Sequence, residues 1–325
     1  MTHANPSRRP GGRIGAAASC LTLSLALSAC GGGGGGAGEP AAIDTGVPAA
    51  PTAQLAASQD QATALVRLAE QRTRDLRLAA GVSAVPQAGQ GRALAALARG
   101  PLARIQAVQD FSAELCSSGQ LSVTVADELL ARFNNDANAQ MRAGDAIEVS
   151  SAACTIQAPL LLGDVALGDF GVGAVIDGGF KLVLEQRSGA DFLFSLTYSA
   201  FRYAPAGSTP FDPLNAVLRF GQAGGAAVYT LDFADARLLE APVVSAVGNT
   251  IAVDSARLRA ALASGPFADL SYSQWTLDAT SQRASSGTVL VQGAGGTQAA
   301  INAGAGGYTV DFNINGASSR FSVAR

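Results

Sequence analysis

The sequence predicts a mainly β protein of the α+β class, in which N-terminal helices pack on a long, curved antiparallel sheet of about ten to thirteen strands. The first observation behind this prediction is the hydrophobic period, which changes from 3.6 residues to two after Gly119. The second is that the alternating runs follow one another closely without helical crossovers, as in an antiparallel meander. The clearest alternating runs cover residues 121–125, 180–185, 192–199 and 308–314.

Turn-forming residues separate these runs. Glycine adopts positive φ at no steric cost, and Asn and Asp tolerate it, so pairs of these residues mark tight turns. The sequence predicts turns at Gly144-Asp145, Asp177-Gly178-Gly179, Ser188-Gly189, Gly224-Gly225, Gly295-Gly296, Gly306-Gly307 and Asn315-Gly316. One helical interruption of the sheet is predicted over residues 254–263, where Ser-Ala-Arg-Leu-Arg-Ala-Ala-Leu has the composition of a short helix.

Residues 1–29 are organised like an export signal. Arg8, Arg9 and Arg13 form a basic head, and an apolar run from Ile14 follows. This run is shorter than the ~20 residues that span a bilayer. The run ends in Leu27-Ser28-Ala29-Cys30, which resembles the lipobox of bacterial lipoproteins. The resemblance implies cleavage before the cysteine, a diacylglyceryl group on its sulfur and an acylated amine.

The residues after Cys30 bear on location. Gly31 stands where an Asp would retain a lipoprotein in the inner membrane, so the resemblance implies the outer membrane. We expect the protein to face the periplasm, with exposure at the cell surface as the alternative. The alternative is an ordinary secretory signal that is cut nearby and leaves Cys30 as a free thiol. Residues 30–51 include six consecutive glycines, and we expect them to form a lipidated, flexible tether.

Residues 52–118 are predicted to be a helical segment. Over residues 52–80 the apolar side chains fall near one stripe of a helix, and Gly81 is placed as its C-cap. A short helix is predicted over residues 92–99. Another begins at Pro101, with Leu102, Ile105, Val108 and Phe111 or Leu115 on its buried face.

Arginines and acidic residues alternate through this helical segment. The arginines alone could form a patch that binds a membrane surface. However, Asp60, Glu70, Asp75, Asp110 and Glu114 interleave with them, so we interpret these charges as a solvated helix face. The antiparallel β domain then covers residues 119–325.

Composition excludes several classes of function. The only histidine is His3, which lies in the part removed with a signal, so no Ser-His-Asp or Cys-His arrangement and no imidazole metal ligand is predicted. Removal of residues 1–29 takes away three arginines and no acidic residue, so the net charge changes from −3 to −6. A mildly acidic chain with scattered charge has no basic stripe for nucleic acid. We therefore expect no enzyme activity, no cofactor, no metal site and no nucleic-acid partner.

Two cysteines remain for the folded part once Cys20 leaves with the signal and Cys30 carries lipid. Because the cell envelope oxidises thiols, a disulfide between Cys116 and Cys154 is predicted at the junction of the helical segment and the sheet. A metal site is the poorer interpretation, since only two ligands are present without histidine. A redox pair is also poorer, since the two cysteines are far apart in sequence.

Acidic residues on strand faces are the only plausible catalytic groups. Asp232 and Asp235 flank Phe233-Ala234, and Asp278 follows Trp275-Thr276-Leu277. Paired carboxylates beside aromatic rings are used by glycosidases, but solvated strand faces commonly carry acids, and we prefer that interpretation. Residues 134–138 are similar to half of a calcium loop but lack the glycine of its sharp turn.

Two aromatic clusters either fill a core or line a concave apolar face. The first contains Phe192, Phe194, Tyr198, Phe201 and Tyr203, and the second contains Tyr272 and Trp275. A curved sheet with such a face would be similar in plan to the periplasmic lipoprotein carriers LolA and LolB, which implies a bound acyl chain or another hydrophobic molecule. Filling of a core is the preferred interpretation.

Together these patterns predict an envelope-anchored lipoprotein with a non-catalytic binding or scaffolding role. Its partners would be the membrane, through the lipid on Cys30, and a hydrophobic or glycan ligand. One alternative is a carrier of a hydrophobic ligand, which needs a closed apolar cavity. The other is a carboxylate-based glycan hydrolase, which needs two acids ~5–10 Å apart in an open cleft.

Overall fold

The computed structural model describes residues 46–83, 108–135, 141–158, 161–162, 165–166, 170–189, 191–223, 226–247, 249–263 and 265–325. The predicted signal peptide over residues 1–29, the lipid attachment site Cys30 and the short helix over residues 92–99 lie outside these ranges. Among the described residues, no helix is long and apolar enough to cross a bilayer.

Three α-helices, one short 3-10 helix (Ala294–Gly296) and sixteen strands make up the described part of the chain. The helices are α1 (Gln59–Ser83), α2 (Ser112–Leu115) and α3 (Asp127–Asn135). The strands are β1 (Val108–Asp110), β2 (Cys116–Val125), β3 (Ala146–Ile156), β4 (Leu161–Leu162), β5 (Val165–Ala166), β6 (Val175–Ser188), β7 (Asp191–Ala204), β8 (Leu214–Ala223), β9 (Ala226–Phe233), β10 (Ala236–Val247), β11 (Thr250–Ala261), β12 (Phe267–Asp278), β13 (Arg283–Gln292), β14 (Gln298–Gly304), β15 (Gly307–Ile314) and β16 (Ala317–Val323).

The sheet is one antiparallel meander, which confirms the predicted fold class. Within the described residues fourteen strands follow chain order across the sheet, and only the small β4–β5 ribbon stands apart. This is one strand more than the upper prediction, because β1 was expected to be helical. Each strand pairs with its neighbours in sequence because short connections favour antiparallel pairs.

The meander divides into two halves of seven strands, β1–β9 without the ribbon and β10–β16. Among the described residues, the one register pair between β9 and β10 is Arg237 with Asp232, whereas β8 and β9 share eight such pairs. The two halves therefore diverge directly after the β9–β10 turn. Helix α1 packs against strands of both halves, namely β8, β10–β13 and β16.

The sheet curls far enough for its distant parts to meet. The connection after β7 reaches the β12–β13 turn, where Gln282 Nε2 donates to the carbonyl oxygen of Thr209 at 3.2 Å. Ser208 Oγ lies 3.4 Å from Thr280 Oγ1 in the same contact. A flat meander would hold these segments several strands apart, so this contact confirms the predicted curvature.

β-Bulges with glycine produce part of this curvature. Gly178 (φ +83°) lies opposite Ala200 (φ +47°) in β6–β7, and Gly287 (φ +98°) lies opposite Gln274 (φ +48°) in β12–β13. Register shifts occur at both places. The turn predicted at Asp177-Gly178-Gly179 is therefore wrong. Its glycines lie inside β6, where they allow the close approach of the next strand instead of reversing the chain.

One predicted helix is a strand, and a second, expected from Pro101, is helical among the described residues only at its end, Ser112–Leu115. Residues 101–107 of the helix expected from Pro101 lie outside the described residues, but Val108–Asp110 forms β1, paired with residues 122–124 of β2. The helix predicted over residues 254–263 is instead the second half of β11. There Ala256, Leu258 and Ala260 are buried on one face, and Arg259 is buried on the other by an acidic partner that the local sequence does not contain. Tertiary pairing overrides helix propensity at this strand.

Helix α1 begins seven residues later than predicted. Ser58 caps it, because its Oγ accepts from the backbone N–H of Gln61 at 3.2 Å. Residues 48–55, before the cap, are hydrogen-bonded to the sheet. Gly81 lies within α1, which ends at Ser83, so the C-cap predicted there is wrong.

The predicted disulfide between Cys116 and Cys154 is present and joins β2 to β3. Its Cα atoms are 5.3 Å apart, and both cysteines are buried. The bond closes a loop with a sequence separation of 38 residues. A covalent link across a loop of this length removes conformational entropy from the unfolded chain, and in that model it contributes about 4 kcal/mol.

We predict that Gly287→Ala costs roughly 3 kcal/mol of unfolding free energy or more, because it combines left-handed strain with overlap. An added Cβ would lie 2.5 Å from Trp275 Cα and overlap the carbonyl of Gln274. Denaturant unfolding measures the loss. Gly316→Ala is the control, since Gly316 has φ +85° and open space around it, and it should cost only about 1–2 kcal/mol. Equal losses in both variants would contradict the close-approach argument.

Reduction should lower the stability of the folded part by about 4 kcal/mol, equivalent to roughly 10 °C in melting temperature. Calorimetry with and without dithiothreitol tests this expectation. The double variant Cys116→Ser, Cys154→Ser should be insensitive to the reductant. A melting temperature of the parent protein that does not respond to reduction would show that the loop is constrained by other contacts.

Candidate functional site

A cluster of charged side chains lies on α1, enclosed between the two halves of the sheet. Glu70, Arg72 and Asp75 are 3%, 3% and 6% exposed. The sequence predicted that charges on this helix, Glu70 and Asp75 among them, form a solvated face, and for these residues that prediction is wrong. The curled sheet covers the second half of α1 from several sides, so polar positions of the helix are buried together with apolar ones.

Arg72 is the centre of the first part of this cluster. Its Nη1 donates to Asp75 Oδ2 at 3.0 Å and its Nη2 donates to Asp235 Oδ2 at 2.5 Å. Its guanidinium carbon also lies 5.4 Å from the ring centroid of Phe233. Burial alone would lower the pKa of Arg72, but the carboxylates of Asp75 and Asp235 outweigh it and raise that pKa, so Arg72 stays charged. Arg72 thereby fastens α1 to the β9–β10 turn.

The enclosure also changes the pKa of Asp75. Burial penalises its charged form more strongly than Arg72 favours it, and the pKa of Asp75 rises from 3.8 to about 6. A carboxyl group that titrates near neutrality is a candidate general acid or base. Asp75, however, is hydrogen-bonded to Arg72 and enclosed, so its arrangement suits docking of the helix more than contact with a substrate.

Glu70 forms the second part of the cluster, on the other half of the sheet. It accepts a short hydrogen bond from the Tyr308 hydroxyl, and Oε2 lies 3.3 Å from Arg283 Nη1. The Tyr308 hydroxyl in turn accepts from the N–H of Ala284 at 2.9 Å. Burial and the neighbouring carboxylate of Glu70 raise the pKa of Tyr308, so its hydroxyl keeps the proton that it donates.

Two further contacts complete the docking of α1. Arg74 Nη2 lies 3.6 Å from Asp212 Oδ2, in the connection that leads into β8. The Tyr272 hydroxyl of β12 donates to the carbonyl oxygen of Ala69 at 2.8 Å. The charged cluster thus ties α1 to β13, β15 and the β9–β10 turn, and these two contacts add β12 and the approach to β8.

The predicted catalytic acids do not come together as a set. Asp232 accepts from Arg237 Nε at 2.8 Å on the outer face of the sheet, while Asp235 reaches inward to Arg72. Asp278 lies in the β12–β13 turn, where its Oδ1 accepts from the N–H of Ser281 at 2.7 Å. Asp235 directly precedes Ala236, which pairs with Ala260 near one end of β11. Asp278 pairs with Thr250 at the other end of that strand. Ten residues of strand, roughly 33 Å, therefore lie between these two acids.

The side chains of the two predicted aromatic clusters are largely buried, and rings within each cluster contact one another. Tyr198 and Phe201 of β7 are fully buried, with ring centroids 5.8 Å apart. Trp275 stacks on Tyr308 at 6.3 Å and meets Tyr272 edge-on at 6.2 Å. Such mutual contacts are typical of a packed core. Tyr198 Oη and Trp275 Nε1 have no hydrogen-bond partner among the described residues.

Most of the predicted calcium half-loop, residues 136–138, lies outside the described residues. Asn134 and Asn135 end α3. Across the described part of the chain, no group of three His, Cys, Asp or Glu residues has the arrangement of a metal site.

Arg259 on the outer face of β11 organises a second polar group that the sequence did not predict. Its Nε and Nη2 donate to Asp269 Oδ1 and Oδ2 at 2.6 and 2.9 Å, and its Nη1 donates to the carbonyl oxygen of Pro48 at 2.8 Å. Arg259 and Asp269 are both buried. A bidentate pair of this kind is strong and directional. It fixes the point at which the N-terminal segment meets the sheet.

The segment after Pro48 continues across the end of the sheet. The N–H groups of Thr52 and Ala53 lie 2.8 Å from the carbonyl oxygen of Phe267, and the carbonyl of Ala53 accepts from Ala294 at 2.6 Å. Leu55 donates its N–H to Thr297 Oγ1 at 3.2 Å and is buried. These contacts lead the chain from the outer face of the sheet to α1 on the inner face. We call residues 48–55 the entry segment.

No family model, no curated protein and no solved structure matches this chain. Both polar groups hold secondary structure in place, and both lie where the N-terminal part of the chain joins the sheet.

The pKa of Asp75 predicts a pH dependence of stability. Because the folded-state pKa of about 6 lies above the unfolded value of 3.8, the folded protein holds the proton more tightly, and the contribution of Asp75 falls as pH rises from about 4 to 6. Asp75→Asn should remove this slope. Chemical unfolding at half-unit steps of pH measures it.

Asp278→Asn is the control for this experiment. Hydrogen bonds from Ser281 lower the pKa of Asp278, so its contribution is present above about pH 4 and is lost below it. The Asp278 variant should therefore change the profile only at the acidic end. A profile between pH 4 and 6 that is the same in the Asp75 variant and the parent would contradict the assignment.

Proposed function

We propose that this chain is an envelope-anchored lipoprotein with a non-catalytic binding or scaffolding role. The observation that carries the proposal is the sequence Leu27-Ser28-Ala29-Cys30 at the end of an export signal, followed by Gly31 to Gly36. Diacylglyceryl and acyl chains on Cys30 would hold the protein at the membrane, since each buried methylene contributes ~0.8 kcal/mol.

The entry segment supports this role. A flexible, glycine-rich tether from Cys30 to Pro48 would have a root-mean-square length of about 20–25 Å. It would join the folded part at Pro48, whose carbonyl is held by Arg259 and whose following residues are hydrogen-bonded to β12.

The charged groups of the described chain also favour a non-catalytic role. Asp232, Asp235 and Asp278 each have a structural partner, and Asp278 is roughly 33 Å along a strand from Asp235. A glycan hydrolase needs two carboxyl groups ~5–10 Å apart beside a substrate cleft. None of these contacts favours that alternative.

A carrier of a hydrophobic ligand is the second candidate. The curled sheet, with aromatic side chains on its inner face and a helix packed against it, is the feature that favours this function. The carrier would need an apolar cavity between the helix and the sheet. Mass spectrometry of lipid retained after native extraction distinguishes the two roles: a stoichiometric lipid supports the carrier, and a ligand-free protein supports the scaffold.

We predict that Cys30→Ala abolishes labelling by radioactive palmitate and moves the protein from the membrane to the soluble fraction. The reason is that the thiol of Cys30 is the proposed acceptor of the lipid. Labelled cells are fractionated, and the protein is precipitated and counted.

Cys20→Ala is the matched control, because it removes the other cysteine of the signal and should leave labelling intact. Label that persists in the Cys30 variant, or a parent protein without label, would contradict the proposal.

A further inference from the structure

The turn between β15 and β16 carries the one Asn-Gly pair of the sequence. Asn315 and Gly316 form this two-residue connection, and Ile314 pairs with Ala317 on either side of it. Both turn residues have left-handed backbone angles, with φ +52° and +85°. Both are exposed, and apart from its chain neighbours nothing lies within 4 Å of the position that a Cβ on Gly316 would take. The turn predicted here is therefore present, and its main chain is open to solvent.

An asparagine that precedes glycine can lose its side-chain amide without an enzyme, which is one reason why asparagine is thermolabile. The backbone nitrogen of the glycine gives up its proton to solvent and attacks Cγ of the asparagine, and ammonia leaves, so that a five-membered succinimide ring forms. Water then opens the ring at one of its two carbonyl groups. The products are an aspartate or an isoaspartate, in which the main chain runs through the side-chain carbon. Glycine favours the attack because it has no side chain to obstruct its nitrogen.

The side chain of Asn315 has no hydrogen bond in the described part of the chain. Other asparagines of the sheet are held in place. Asn215 Oδ1 accepts from the N–H of Ala200 at 2.8 Å, and Asn249 Nδ2 donates to Thr280 Oγ1 at 2.8 Å. Both of these asparagines also precede a residue that has a side chain. Asn315 thus combines a side chain that is free to rotate with an unobstructed nitrogen on the next residue.

Asn313 restrains the reactive nitrogen. Its Oδ1 accepts from the N–H of Gly316 at 3.2 Å. This bond directs the nitrogen toward Asn313 and holds the proton that has to be removed before the attack on Asn315. The bond is exposed and competes with water, so its net contribution is that of an ordinary hydrogen bond. It should slow the reaction without preventing it.

We propose that Asn315 is a site of spontaneous deamidation and that the side chain of Asn313 restrains its rate. The reaction consumes one water and releases one ammonia per chain, and it needs neither a cofactor nor an oxidant. The lipid on Cys30 plays no part in it, because the turn belongs to the folded sheet.

The modification would act on the last strand of the sheet. The register of a hairpin is fixed by the type and length of its turn, and an isoaspartate adds one carbon atom to the main chain between Ile314 and Ala317. Strand β16 also contacts the start of α1, where Gln59 Nε2 donates to the carbonyl oxygen of Ser322 at 3.0 Å. A change in this hairpin would therefore extend to the first turn of the docked helix.

Peptide mapping by mass spectrometry of the full-length chain tests the site. The folded protein is kept in mildly alkaline buffer, where the amide proton is removed more easily, and samples are digested at intervals. We expect Asn315 to be converted to aspartate and isoaspartate while Asn249 keeps its amide. Asn249 is the internal control, because it is also exposed and lies between two paired strands but is hydrogen-bonded to Thr280.

Two variants of Asn313 test the restraint. Asn313→Ala removes the acceptor and should raise the rate at Asn315 about 2- to 5-fold, the factor that corresponds to the loss of one exposed hydrogen bond. Asn313→Asp keeps an acceptor oxygen and should leave the rate close to that of the parent chain. Circular dichroism checks that both variants are folded. Retention of the amide at Asn315 for as long as at Asn249 would overturn the site, and equal rates in the two variants would overturn the restraint.

Discussion

The buried charges of α1 are the constraint on which the rest of the structure depends. Glu70, Arg72 and Asp75 cannot be enclosed unless each finds a partner, since an unpaired buried charge costs several kcal/mol, whereas an exposed ion pair contributes less than ~1 kcal/mol. The partners come from the β9–β10 turn, β13 and β15, which are far apart in a flat sheet. The sheet therefore has to curl around the helix. Ion pairs and hydrogen bonds are directional, so the charged cluster fixes the position of α1 against the sheet. Hydrophobic contacts are not directional and would specify that position less precisely.

The backbone of the sheet is built to permit this curl. Bulges at Gly178 and Gly287 each add a residue to one strand and increase the local twist, and the glycines let the neighbouring carbonyl approach. The near-absence of pairing between β9 and β10 gives the remaining freedom, because among the described residues these two strands share a single register pair.

The fold class was predictable because it depends on local alternation, which each strand carries in its own residues. The run at residues 308–314, for example, becomes β15 with Tyr308, Val310 and Phe312 buried. The disulfide was predictable because Cys116 and Cys154 are the two cysteines beyond residue 30. The errors occur where a distant partner decides the outcome. The residues around Arg259 predict a helix, because its partners Asp269 and Pro48 lie outside that local sequence. Glu70 was predicted to be solvated, because Tyr308, which donates a hydrogen bond to it, is distant in the sequence.

The docked helix also determines the order in which the protein can fold. Helix α1 precedes almost the whole sheet in the chain, but Asp235 lies 163 residues beyond Arg72, and Tyr308 lies 238 residues beyond Glu70. Contacts over such separations form slowly, because large loops must close before the contacts stabilise them. During synthesis the residues of α1 emerge first, and their charges stay hydrated until the last strands are complete. Assembly of the core is therefore a late event that needs the complete chain.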